Sequence, residues 1–369
     1  MRGITLLRAA MVVMAVATTG CSLPRGAAMQ SEITGAARNA ETADFAVQPV
    51  TRAALPALLS WPSTDNTPRY SWMGRTGGSS TPLLAAGDVI SLVIWDSAQS
   101  GLLAGPGALV TPMSDLRVSG AGEIFIPYVG NLRVSGMSPD HARETIQTAL
   151  DGYIPGVQVQ LAAQPGRGNT VDMVSGVAGP GAYPLVDRNT TVLSLIAQAG
   201  GVPAALNNPR VKIFRGSKIY GTSLESLYES PDRDALVLGG DRVIVTPDER
   251  TFLALGATGS EAMIEFPKDT VTVADALSLI GGISDSRADP RGLLILRSYP
   301  ASALRSGGPT RAQVVFTVDL TSADGLFAAS KFPIMPDDLV YATESPVANI
   351  QTVFGLVGRA FGLSSTLGL

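Results

Sequence analysis

The chain has 369 residues, 45% of them hydrophobic and 16% charged, with a net charge of −4. That is enough apolar material for several cores, and it excludes a disordered chain and a strongly basic binder of nucleic acid. One Cys and one His exclude a disulfide framework and a Cys/His zinc site, while 40 Gly and 25 Pro indicate many short elements joined by tight turns.

Residues 1–20 read as a signal peptide. Arg2 and Arg8 supply the basic start, and 9–17 is an unbroken apolar run (AAMVVMAVA). That run is about half of the roughly 20 residues a spanning helix needs. The only Cys, Cys21, follows Gly20 directly. This arrangement resembles the lipobox of bacterial lipoproteins, with Thr18 at the position usually held by Leu. The resemblance implies that Cys21 carries diacylglycerol and becomes the mature N-terminus, and Ser22 in place of Asp favours the outer membrane. A plain secretory signal with an incidental Cys is the alternative.

Residues 21–80 are rich in Ala, Ser, Thr, Pro and Gly and lack periodicity, so they read as a linker or leader that wraps over or tethers the first domain. An ordered unit is expected over 81–165. It opens with Gly87-Asp88 and a β-rich run at 89–96 (VISLVIWD). A turn, a strand and another turn follow over 118–130. Ser138-Pro139 opens a helix with Ser as N-cap, and Ala142, Ile146, Ala149 and Leu150 form one apolar stripe. Strict alternation at 157–161 predicts a half-buried strand.

The rest of the chain to 345 is an internal duplication, divided as 170–250 and 251–345. Thr191-Val192 and Gly200-Gly201 recur 81 residues later as Thr272-Val273 and Gly281-Gly282. Pro209-Arg210 recurs as Pro290-Arg291. Each copy carries one short helix ending at Gly-Gly and closes on an Asp-headed strand, at Asp241 and at Asp337-Asp338. The second copy is longer, with the insertion near 298–311. Each is expected to be an α+β unit with its helix packed on one sheet face. Residues 346–369 carry one charge, Arg359, on an amphipathic helical pattern.

These stretches resemble a known family. GDVISLVIW at 87–95 is similar to the opening of the polysaccharide export domain, and 118–130 (VSGAGEIFIPYVG) looks like that domain's second conserved stretch. VSGVAGPGAY at 174–183 resembles the opening of SLBB domains, which are small β-grasp modules; the second copy has GATGSE at 256–261 without Pro-Gly. A lipoprotein signal, an export domain, two β-grasp (SLBB) domains and a C-terminal amphipathic helix, in that order, resemble the outer-membrane polysaccharide exporters of the Wza type. The resemblance implies a homo-oligomeric ring, commonly an octamer, anchored to membrane lipid with most of each chain periplasmic. It implies an inner-membrane polysaccharide co-polymerase or tyrosine autokinase as partner, and a capsular polysaccharide or exopolysaccharide as cargo.

In such a ring the C-terminal helices would form the membrane pore. Ile350, Phe354, Val357 and Phe361 are then the lipid-facing candidates, and Asn349, Gln351, Thr352 and Arg359 the lumen candidates. A tail helix docked on its own domain is the alternative. Trp95 and Tyr128 are candidates for sugar or subunit contacts, with the core an alternative for Trp95. His141 lies on the helix after Ser138 with no second His in the chain, so no metal site is expected. No catalytic acid/base pair, nucleophile elbow or phosphate loop stands out, so no cofactor and no enzymatic activity are expected. The rival function is a lipid-anchored periplasmic scaffold that binds polysaccharide or a partner without spanning the membrane.

Overall fold

The computed structural model describes residues 26–346, except 36, 38–42, 66, 67, 69, 80 and 97–108. Cys21 and the whole C-terminal set, Asn349, Ile350, Gln351, Thr352, Phe354, Val357, Arg359 and Phe361, lie outside the described residues. The chain divides into two compact units. One comprises 67–248 with 267–269; the other comprises the residues before 67, 249–266 and those from 270 onward.

The leader is structured, with α1 (Gln30–Gly35), β1 (Phe45–Pro49) and α2 (Leu55–Leu59). All three belong to the unit of the second repeat and are placed there below.

The unit built on 67–248 begins with β2 (Val89–Trp95), whose alternate residues Ile90, Leu92 and Ile94 are buried. It is flanked antiparallel by β3 (Val110–Arg117) and β6 (Gln158–Gln164). β3 is an edge strand broken by a register shift, with Asp115 at positive φ and Pro112 in its middle, features that discourage further strand pairing. The hairpin of β4 (Glu123–Ile126) and β5 (Gly130–Arg133) turns through Tyr128, itself at positive φ. α3 (Pro139–Asp151) starts where the Ser138 side chain accepts a hydrogen bond from His141 N, and it buries Ala142, Ile146 and Leu150. These residues close one core with Val118, Ile124, Ile126 and Val134.

The first repeat follows in the same unit. β7 (Thr170–Ser175), β8 (Gly181–Pro184), β9 (Arg210–Arg215), β10 (Lys218–Ser223) and β11 (Arg242–Thr246) form a sheet of order β10-β9-β11-β7-β8. α4 (Val192–Gln198) buries Val192, Leu195 and Ile196, and α5 (Leu224–Glu229) buries Leu224 and Leu227. Leader residues 70–73 run beside the β10 edge: Gly221 N donates to Ser71 O at 3.3 Å, and Trp72 Nε1 donates to Arg233 O at 2.7 Å.

In the other unit, β12 (Thr251–Gly256), β13 (Ala262–Glu265), β14 (Ala288–Ser298), β15 (Gln313–Val318) and β16 (Leu339–Glu344) repeat that strand order as β15-β14-β16-β12-β13. α6 (Val273–Leu279) is the counterpart of α4, and its Thr272 and Asp275 form a reciprocal capping box. α7 (Ala323–Ala329) follows β15 as α5 follows β10. The insertion lengthens the β14–β15 hairpin, whose counterpart in the first repeat is only Gly216-Ser217.

Here the leader differs from expectation. β1 adds to the β15 edge as a sixth, parallel strand, with Phe45 opposite Gln313 and Pro49 opposite Thr317. Leu55 and Leu58 of α2 are buried in the core of the second repeat, and Trp61 packs against Tyr299 and Phe316 with ring centroids 5.9 and 5.8 Å away. Residues 45–61 are therefore built into the second repeat. Their sequence hid this because a five-residue edge strand and a five-residue helix are too short to show a period. Trp61→Ala is expected to destabilise this unit by about 2–3 kcal/mol, less than a fully buried Trp would lose. Urea unfolding followed by circular dichroism would measure it, and a cost below about 0.5 kcal/mol would show that the leader is not part of this core.

Candidate functional site

Among the described residues no group of three His, Cys, Asp or Glu side chains is placed to hold a metal ion, and no helix is long and apolar enough to cross a membrane. His141 is exposed on the first turn of α3. Trp95 ends β2 opposite Val110 and Gln158 and is 37% exposed, so it is at the surface and not in the core. Tyr128 is exposed at the tip of the β4–β5 hairpin, and Phe125 on the same hairpin is exposed as well.

The most organised chemistry lies in a turn that occurs three times. At 85–88, 238–241 and 335–338 the chain makes a β-turn closed by the Asp amide: Asp88 N to Ala85 O at 3.1 Å, Asp241 N to Leu238 O at 3.0 Å, Asp338 N to Met335 O at 3.2 Å. The third residue of each turn takes positive φ, which Gly87 and Gly240 adopt freely and Asp337 tolerates. Each Asp is at most 2% exposed, and its carboxylate accepts the amide three residues upstream at 2.8 Å.

A second donor then bridges each carboxylate to the carbonyl five residues upstream. In the first turn it is Asn169 Nδ2, 2.9 Å from both Asp88 Oδ2 and Leu83 O. In the second it is Arg215 Nη2, to Asp241 Oδ2 at 2.6 Å and Leu236 O at 2.9 Å. In the third it is Arg297 Nη2, to Asp338 Oδ2 at 2.7 Å and Pro333 O at 2.8 Å. Both Arg side chains also donate through Nε to the second carboxylate oxygen at 2.8 Å, making bidentate pairs.

The Arg297–Asp338 pair is the more enclosed of the two, with side-chain exposures of 4% and 1% against 27% and 1% for Arg215–Asp241. The Arg297 guanidinium lies 5.1 Å from the Phe316 ring centroid and 5.2 Å from that of Phe332. Burial works against the charge of Arg297, but the Asp338 carboxylate outweighs it and holds the guanidinium above its ordinary pKa. Burial pushes the Asp338 carboxyl up, opposed by Arg297 and by the Met335 amide.

The first two turns meet at a joint. Gly166 N donates to Asp88 Oδ1 at 2.7 Å, and Asn169 continues into β7. The backbones touch here: a Cβ on Gly166 would fall 2.1 Å from Gly87 O, and one on Gly239 would fall 1.9 Å from Gly168 O. Leu84, Ala85, Ser135, Arg188 and Leu238 line the cleft beside it. The core closed by β2, β4 and α3 and the first repeat are therefore joined by backbone stacking and hydrogen bonds.

In the other unit the first and last described segments meet. Glu344 N donates to Ala28 O at 3.0 Å, Ala28 N donates to Tyr341 Oη at 2.7 Å, and Ala27 N donates to Glu344 Oε2 at 3.4 Å. The first described residues after Cys21 thus lie against the strand that precedes the C-terminal segment. Neither this contact nor the Asn169 bridge was found by sequence reasoning, although Gly87-Asp88, Gly240-Asp241 and Asp337-Asp338 were visible as strand openings.

Comparison with known proteins agrees with this layout. The family model described as polysaccharide biosynthesis/export protein matches residues 78–163, and the SLBB domain model matches residues 173–224. The chain is 27% identical over 300 residues to the capsule polysaccharide export outer membrane protein CtrA of Neisseria meningitidis, covering 76% of this chain and 77% of that one. It is 26% identical over 302 residues to the capsule polysaccharide export protein BexD of Haemophilus influenzae, covering 77% and 76%. It is 26% identical over 289 residues to the EPS I polysaccharide export outer membrane protein EpsA of Ralstonia solanacearum, covering 74% of each.

Proposed function

We propose that this chain, which carries a polysaccharide biosynthesis/export domain followed by an SLBB domain, is an outer-membrane subunit of an exporter for capsular polysaccharide or exopolysaccharide. The observation that carries the reading is the pairing of that domain order with relatives named for polysaccharide export that share about three-quarters of their length with it. The second repeat, with the same strand order as the first, acts as a second SLBB unit. Copies assemble as a ring around a hydrophilic path, and the subunit does no covalent chemistry. The cargo is supplied by an inner-membrane polysaccharide co-polymerase or tyrosine autokinase. Trp95 and Tyr128 serve as weak surface contacts for sugar or for a neighbouring subunit.

The contact between residues 27–28 and 341–344 supports the membrane end of this scheme. Only six peptide steps separate Cys21 from Ala27, at most about 21 Å of extended chain. A lipid on Cys21 and the C-terminal segment after Pro346 therefore both leave from the same end of the second repeat. That end faces the outer membrane, with Ile350, Phe354, Val357 and Phe361 toward lipid and Asn349, Gln351, Thr352 and Arg359 toward the lumen.

Deleting 346–369 is expected to abolish surface polysaccharide while the protein stays in the membrane fraction through Cys21. Cys21→Ser is expected to release the protein into the soluble periplasmic fraction. Export that survives the deletion would remove the helical pore and leave the lipid-anchored scaffold as the reading.

A further inference from the structure

The sheet of β3, β2 and β6 turns one face to the core and the other to solvent. Ile90, Leu92 and Ile94 point inward, so Val89, Ser91, Val93 and Trp95 point outward. On β6, Val159 is buried and Leu161 packs on the same core, while Gln158, Gln160, Ala162 and Gln164 are exposed. The strand register sets the outward residues side by side. Trp95 lies between Val110 and Gln158, Val93 between Pro112 and Gln160, Ser91 beside Ala162, and Val89 between Arg117 and Gln164.

Two features of this face select a ligand class. The rows of Trp95 and Val93 are uncharged, and charge enters only farther along, with Asp115 in the β3 bulge and Arg117 beside Val89. Beside the one large aromatic ring stands a line of carboxamides, and rows on one face recur at about 6.8 Å, so the line is about 20 Å long. Each carboxamide both donates and accepts. Among the described residues, neither the three Gln side chains nor the Trp95 indole nitrogen has a hydrogen-bond partner.

A protein partner would strip water from these amides and would need polar groups of its own in matching register to replace it. A chain of sugar rings carries hydroxyls throughout, with apolar CH faces between them. The hydroxyls match the carboxamides, and a CH face matches the Trp95 ring. Neutral contacts of this kind are individually weak and repeat along the strand. A polymer can exchange one for the next without a charged site to hold it.

We propose that the outward face of β2 and β6 is a contact track for the exported polysaccharide, with Trp95 as its stacking platform and Gln158, Gln160 and Gln164 as hydrogen-bonding rungs. This rests on the export reading above. It assigns Trp95 to sugar instead of a neighbouring subunit, and it adds three residues that sequence reasoning did not single out.

The test reads Gln160→Cys with a small maleimide, in cells that make the polymer and in cells whose polymer synthesis is blocked. The wild-type protein sets the background from Cys21. Slower labelling in producing cells is expected at Gln160→Cys and not at His141→Cys, an exposed position on α3. A rate that ignores the polymer overturns the track: fast in both cells leaves the face bare, and slow in both gives it to a protein. Polysaccharide purified from the producing cells is then titrated onto the full-length, detergent-extracted protein. Trp95→Ala, and separately Gln158→Ala with Gln160→Ala, are each expected to weaken its apparent affinity by about three- to ten-fold, with the thermal unfolding transition in place. Trp95→Phe should recover most of the Trp95→Ala loss. Unchanged affinity in both variants overturns the proposal. Surface polymer that persists in cells lacking the protein would instead remove the export reading itself.

Discussion

Arg297→Ala is expected to destabilise the second-repeat unit by about 3–5 kcal/mol, the usual cost of leaving one charge of a buried pair without its partner. The loss includes two hydrogen bonds to Asp338, one to the Pro333 carbonyl and the two flanking ring contacts with Phe316 and Phe332. The abandoned Asp338 is 1% exposed with Arg297 in place, so it loses its main partners at a site shielded from bulk solvent. Arg215→Ala removes the equivalent bidentate pair from the first repeat, but that Arg is 27% exposed and no pair of rings sandwiches it among the described contacts. Its cost should be smaller, about 1–2 kcal/mol. Urea denaturation of the two variants measures the difference. Equal costs would mean that burial does not set the strength of these clamps.

The second large effect is expected at the joint. Gly166→Ala and Gly239→Ala each place a methyl group about 2 Å from a carbonyl oxygen, on Gly87 and on Gly168 respectively. Neither clash can be relieved by rotating a side chain, because the obstacle is backbone. The two stacked segments must separate, at a cost of about 3 kcal/mol or more for each substitution. Separation also breaks the bond from Gly166 N to Asp88 and strains the Asn169 bridge. Each core should survive while the connection loosens. Calorimetry is expected to resolve one transition into two, and protease should cut newly within 165–169. An unchanged single transition would show that the joint is not built on this contact. Asn169→Ala should weaken the same joint more mildly, by about 1–2 kcal/mol, because it deletes hydrogen bonds without adding a clash.

Sequence patterning located much of the architecture, and the reasons for its limits are specific. The α3 stripe and its Ser138 cap were legible because thirteen residues give the helical period room to repeat. The duplication was legible because Thr-Val and Gly-Gly bracket each short helix at fixed spacing, and those four residues perform the same local task twice: an N-cap and a left-handed exit. The leader was illegible because its ordering comes from partners far away. Nothing near Trp61 announces Tyr299 or Phe316. Asn169 was illegible for a similar reason, since an Asn in a Gly-rich connection usually signals a turn, and its service to Asp88 appears only once 88 and 169 are in contact. Asp241 and Asp338 were legible only as the heads of closing strands, and their burial against guanidinium groups appears once the strands are in contact.

The parallel strand β1 has a consequence in time. Its partner strand lies 268 positions downstream, with Phe45 opposite Gln313. A chain threaded through a membrane N-terminus first delivers β1, α2 and Trp61 before the export-type core, and delivers β15 only near the end. The export-type core and the first repeat can fold as they emerge, but the second repeat cannot close until nearly the whole chain has crossed. Until then the leader's Leu55, Leu58 and Trp61 have no core to enter. This interval leaves the half-made subunit most prone to aggregation and most dependent on chaperones. Moving residues 43–61 to follow residue 346 through a flexible linker, at the expense of the native end, should shorten that interval and speed refolding of the second repeat.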